Sequence, residues 1–151
     1  MRRINYVLLG CVLGGVLILG LGVHLLHGFQ VQRNAVVFLE AAKQALAKLD
    51  EAIKAGSEEE TRKAFAEMKQ QLDAYHQLRP DDLDTIEEFA GHLQSRGELL
   101  LEKYTGEMQA QGVGFYVSAF RERERLLRLD SARHDARRQQ VESAMFMAQL
   151  A

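Results

Sequence analysis

One cysteine, one proline and no tryptophan occur in 151 residues, and neither sign of charge is in large excess. Each shortage closes a class of function. A lone cysteine, Cys11, excludes an intramolecular disulfide. A formal net charge of −2 leaves no basic surplus of the kind that marks a nucleic-acid-binding domain, so no nucleic-acid partner is expected. Alternating β-branched runs are absent, which removes the signal for half-buried strands. With a single helix breaker at Pro80 and abundant Ala, Leu, Glu, Gln, Lys and Arg, the fold class read from the chain is all-α.

The usual constellations of chemistry are missing too. His76, His92 and His134 show no metal-ligand spacing, and no H-E-x-x-H occurs. His24 and His27 are three apart and make at best a two-ligand site, so an interfacial role suits them better. Gly112-Val113-Gly114 lacks the third glycine and the preceding strand of a phosphate-binding loop, and no serine lies in a G-x-S-x-G context. No catalytic residue, cofactor or metal ligand is assigned, and an enzyme is not expected.

What the chain does contain is an apolar run. Ile4 to Leu26 holds no Asp, Glu, Lys or Arg. At about 1.5 Å per residue its 23 residues would form a helix about 34 Å long, against about 30 Å of bilayer hydrocarbon. Tyr6 at one end and His24, His27 and Phe29 at the other suit the two interfaces. Arg2 and Arg3 place the N-terminus in the cytoplasm by the positive-inside bias, and the rest on the outer side. The division expected is 1–3 cytoplasmic, 4–27 single-pass anchor and 28–151 helical domain. A cleaved signal peptide is the rival reading, though the run is long and no A-x-A pattern follows. Leu8-Leu9-Gly10-Cys11 also resembles a lipoprotein cleavage box, with an apolar stretch before it that is too short. Gly10 and Gly14 form a G-x-x-x-G pair through which two membrane helices can approach, so a homo-oligomer is one expectation.

Beyond the run, apolar stripes at helical spacing alternate with turn signals. Ala35, Phe38, Leu39, Ala42, Leu46, Leu49 and Ile53 mark a first amphipathic helix, ended by Gly56. Ser57 and Glu60 form an S-x-x-E capping box for a second helix carrying Phe65, Met68, Leu72, Tyr75 and Leu78, stopped by Pro80. Asp81, Asp82 and Asp84 open a third, with Leu83, Ile86, Phe89, Ala90 and Leu93, expected to close at Gly97. A fourth is expected over Leu99–Met108, then a break at Gly112–Gly114, a fifth helix to Leu129 and a last one from His134 to Leu150. Its apolar residues Val141, Ala144, Met145 and Ala148 need a cover. Arg121-Glu122-Arg123-Glu124-Arg125 is expected to be a solvated face of exposed ion pairs, or else a charged contact surface.

The segment Pro80–Gly97 resembles the start of a tetratricopeptide (TPR) repeat. Ile86, Phe89, Ala90, Leu93 and Gly97 stand at that family's packing and turn positions. Leu127-Arg128-Leu129-Asp130-Ser131 resembles a worn repeat end, with serine where proline is usual. His24–Ala35 reads H-L-L-H-G-F-Q-V-Q-R-N-A, which is similar to the junction of bacterial membrane-anchored TPR proteins. The resemblance implies antiparallel hairpins in an irregular α-solenoid that binds a protein or peptide. On the matching repeat the groove would be lined by Asp84, Glu87, Gly91, Gln94 and Ser95, an acidic-polar set suited to a basic or polar partner. The expected function is a membrane-tethered scaffold. The alternative is a structural membrane protein that self-associates as a small helical bundle.

Overall fold

The computed structural model describes residues 6–150, with side-chain surroundings over 13–148. Arg2, Arg3 and Ile4, and the surroundings of Gly10 and Cys11, lie outside the described residues. The described residues form five helices: α1 Tyr6–Ala55, α2 Glu58–Leu78, α3 Leu83–Lys103, α4 Glu107–Leu129 and α5 His134–Leu150.

No break separates the apolar run from the first amphipathic stripe. α1 is one helix of 50 residues, about 75 Å long at the standard rise. Its N-terminal part is long and apolar enough to cross a membrane, and none of that apolar window is buried against the domain. From Ala35 onward one face is covered, with Ala42, Ala45, Leu49 and Ile53 buried. Continuity costs little because the junction contains no proline, and Gly28 alone does not interrupt a helix.

Local chemistry places two turns where the sequence puts them. Gly56 takes φ +68, the left-handed conformation that lets the chain reverse without a Cβ penalty. Ser57 Oγ then accepts the Glu60 amide at 3.4 Å. The reciprocal half of the box is unmade, because Glu60 reaches Lys63 instead. At the next turn Pro80 follows the α2 cap, and Asp82 accepts from the Thr85 amide and hydroxyl at 3.3 and 2.9 Å. The Tyr75 hydroxyl donates to the same carboxylate, so the cap of α3 is also tied to the end of α2.

Gly97 and Gly112–Gly114 behave differently from expectation. α3 runs through Gly97 to Lys103, and α4 runs through Gly112-Val113-Gly114 without a hinge. The reason is close approach rather than turning. A Cβ on Gly97 would lie 2.8 Å from Tyr116 Cδ2 and 3.0 Å from the Gly112 carbonyl oxygen. One on Gly112 would lie 2.9 Å from Leu100 Cβ and 3.0 Å from the Gly97 carbonyl oxygen. These two glycines form the crossing point of α3 and α4. The reversal itself occurs at Tyr104–Gly106, where Gly106 takes φ +67, so the three helices expected between Leu83 and Leu129 are two.

Two antiparallel hairpins result, α1–α2 and α3–α4, as loops this short require. They share one core: Leu49 and Ile53 of α1, Met68 and Leu72 of α2, Phe89, Leu93 and Leu100 of α3, and Phe115 and Ala119 of α4 belong to a single cluster. Phe65 and Phe115 rings meet at 4.3 Å across the hairpins. Arg96 clamps Asp50 with two bonds of 2.7 Å between α3 and α1, and the Tyr104 hydroxyl donates to the Ile53 carbonyl. α5 packs on α4 through Ala136 and Ser143, and Phe146 stacks on Tyr116 at 4.9 Å. The apolar residues expected to need a cover stay open: Val141 is 53% and Met145 61% exposed.

Candidate functional site

α3 divides the resemblance-derived residues between its two faces. Ile86, Phe89, Ala90, Leu93 and Gly97 are buried against neighbouring helices. Asp84, Glu87, Gly91, Gln94 and Ser95 occupy the other side. Asp84, Gly91 and Ser95 are exposed, and Glu87 and Gln94 are half-buried. Their separations of three and four residues place them on one line along the helix, so the fold brings the five together.

Two of the carboxylates already hold a cation. Arg133, in the α4–α5 linker, donates Nη2 to Asp84 Oδ1 at 2.7 Å and Nη1 to Glu87 Oε2 at 2.5 Å. Asp130 adds a looser contact at 3.5 Å. The guanidinium fork thus bridges one helical turn, which is the geometry by which arginine reads paired carboxylates. Further along, Gln94 donates to Glu98 Oε1 at 2.9 Å, and the Tyr116 hydroxyl donates to the same oxygen at 2.7 Å. Burial, followed by that carboxylate, pushes the Tyr116 phenol up, so it stays a donor.

Gly91 has no structural reason to be glycine. Nothing lies within 4 Å of where its Cβ would be, and its φ is not positive. A glycine inside a helix costs about 0.5–1 kcal/mol relative to alanine. The residue therefore weakens α3 without serving a turn or a crossing.

The charged run of α4 is not the uniformly solvated face expected, because Arg121 alone of it is exposed and Arg123 is buried. Arg123 is 2% exposed and donates to Ser143 Oγ at 3.1 Å, joining α4 to α5. Arg125 meets His76 Nδ1 of α2 at 2.9 Å, and Glu122 Oε2 lies 3.9 Å from the same nitrogen. His76 is 1% exposed. Burial first, then the Arg125 charge, lowers its pKa to about 4, so the ring is neutral. Burial also raises the Glu122 carboxyl. This polar seam locks the two hairpins together and was hidden in the sequence by alternating charge. The signal was nonetheless there: Ala119, Arg123 and Leu126 recur at helical spacing on the buried line.

Among the described residues no group of three His, Cys, Asp or Glu is placed to hold a metal ion. A concavity of about 580 Å³ is an open groove between α1 and α2, bridged by the Lys48–Glu67 pair at 3.0 Å and flanked by Lys63 and Glu60. Comparison with protein-family models, curated proteins and solved structures finds no match to this chain.

Proposed function

We propose that the chain is a membrane-tethered scaffold whose α3 face captures a basic segment of another protein. The single observation that carries this reading is Gly91, an exposed glycine that the fold does not need, set between acidic and small polar side chains. A missing side chain there lets a partner backbone approach, and Asp84, Glu87 and Glu98 supply its counter-charge. Arg133 shows what such a partner side chain would look like, since a guanidinium already seats between Asp84 and Glu87. The paired hairpins and the buried small residue Ala90 are what a short, irregular TPR-like solenoid would have. The positive-inside bias of Arg2 and Arg3 favours an outer location for the domain.

Three variants test this by pull-down from native membranes. Gly91→Leu fills open space, so it leaves the fold intact yet lowers partner capture at least tenfold, the factor that about 1.4 kcal/mol provides. Asp84→Lys with Glu87→Lys does the same while helical content is retained, because exposed pairs are worth at most about 1 kcal/mol to stability. Arg133→Gln frees both carboxylates and raises capture. Unchanged partners in all three would sink the proposal.

A second reading, self-association without a separate ligand, is favoured by an exposed stripe on α1. Phe29 is 70%, Val36 56% and Val37 59% exposed, on the side away from the core. This reading expects a dimer in detergent that Gly10→Leu with Gly14→Leu, or Val36→Glu, converts to monomer. A wild-type monomer by light scattering would remove it.

A further inference from the structure

The antiparallel hairpins fix which end of the domain meets the bilayer. α2 has 21 residues and is joined to α1 by a two-residue turn, so Leu78 lies level with about Ala35, where α1 begins to be buried. From Arg3 to Arg33 no Asp, Glu, Lys or Arg intervenes. A helix of those 29 residues would rise about 44 Å, matching the about 40–45 Å of a bilayer with its headgroups. Arg33 therefore sits at headgroup level, and the end of the domain lies about 3 Å further along the helix axis. α4 returns to the same end, because its last two turns adjoin Pro80.

Between Pro80 and those turns lies a cavity of about 320 Å³, lined also by Arg121, Glu124, Arg125, Arg128 and Leu129. Its charge is net positive, with three arginines and one glutamate. Arg128 is paired with Glu124 at 2.6 Å, and Arg125 is turned to His76. Arg121 is exposed and makes no hydrogen bond or ion pair among the described residues. Leu129, 53% exposed, adds an apolar rim on the bilayer side. The acidic groups of this end are mostly engaged: Arg133 holds Asp84, Glu87 and Asp130, and Arg79 lies 3.7 Å from Asp81.

We propose that this cavity receives the phosphate of an anionic phospholipid headgroup from the leaflet beneath it, with Arg121 and Arg128 as its cationic contacts. The site rests on the membrane-anchored reading of α1. Bound lipid would fix the domain's rotation about α1 and so the direction in which the α3 face looks.

The full chain in neutral detergent is titrated calorimetrically with short-chain phosphatidylglycerol, short-chain phosphatidylcholine and inorganic phosphate. The expected result is tighter binding of phosphatidylglycerol than of either control. Each basic residue near an anionic surface contributes about 1 kcal/mol, or about fivefold, so Arg121→Gln with Arg128→Gln weakens it about 25-fold while circular dichroism is unchanged. Equal binding of the two lipids, equal binding of free phosphate, or an unaffected double variant overturns the proposal. Flotation with phosphatidylcholine vesicles separates the two readings. A chain that floats but shows no phosphatidylglycerol preference loses only the headgroup site, whereas one that fails to float loses the anchor and the site with it.

Discussion

Gly112→Ala is expected to destabilise the helical domain by about 2 kcal/mol, where alanine in a helix normally stabilises by up to about 1 kcal/mol over glycine. The new methyl would sit 2.9 Å from Leu100 Cβ and 3.0 Å from the Gly97 carbonyl oxygen. Neither is the free end of a flexible side chain, so α3 and α4 must separate. That separation loosens Leu100 and Phe115, both within 1% of full burial, and forfeits the dispersion contacts of a close-packed core. Gly114→Ala is the matched control two residues away, since nothing lies within 4 Å of its Cβ position, and it is expected to gain about 0.5–1 kcal/mol. Urea titrations of the two variants against wild type read the contrast directly. A Gly112→Ala protein as stable as wild type would mean that the crossing is not at the glycines.

Acidification is expected to loosen the joint between the hairpins before it affects the helices themselves. His76 is neutral in the fold, with a pKa of about 4 against an ordinary 6.5. Between those values the unfolded chain binds the proton and the folded one does not, so stability falls as pH drops. The stabilisation is fully present above about pH 6.5 and is lost progressively towards pH 4. A tenfold change in protonation preference is worth 1.36 kcal/mol, which makes the loss about 3 kcal/mol from this residue. Glu122 works in the opposite sense, because burial raises its pKa and favours its protonated form, so the net loss is smaller. Asp82, whose carboxylate is held below its usual value by bonds from Tyr75 and Thr85, adds a further loss at lower pH. His76→Gln keeps an acceptor for Arg125 but does not titrate. Comparing its unfolding midpoints at about pH 7 and about pH 4.5 with those of wild type isolates the His76 part. Equal slopes for the two proteins would show that the ring is not held neutral.

How much of this was legible in the chain depended on whether the signal was local. The Gly56–Ser57 and Pro80–Asp82 turns could be read because each needs only its own residues: a left-handed glycine, a hydroxyl or carboxylate cap, a ring that blocks the preceding helix. Gly97, Gly106 and Gly112 could not be told apart, because glycine serves both tight turns and close crossings. Only a neighbouring helix distinguishes them, and here it assigns the turn to Gly106 and the crossing to the other two. The alternating charges of residues 121–125 had the composition of a solvated face. The burial of Arg123 and the partial cover of Glu122 and Arg125 followed from two further helices, α5 at Ser143 and α2 at His76. The TPR resemblance named Asp84, Glu87, Gly91, Gln94 and Ser95 together, but not that Arg133 holds two of them, since 46 and 49 residues separate that arginine from Glu87 and Asp84.

By itself the sequence determined that the chain is all-helical, that one helix is long and apolar enough to cross a membrane, and that amphipathic helices follow with little linker. Helix propensity, 3.6-residue periodicity and the length of an uncharged run are properties of neighbours along the chain. The tertiary structure decided the rest. It put Gly97 and Gly112 at a crossing, buried Arg123 within a charged run and brought α4 beside Pro80 at the end nearest the apolar run. Those outcomes depend on groups distant in sequence, and only packing brings such groups within a few ångströms.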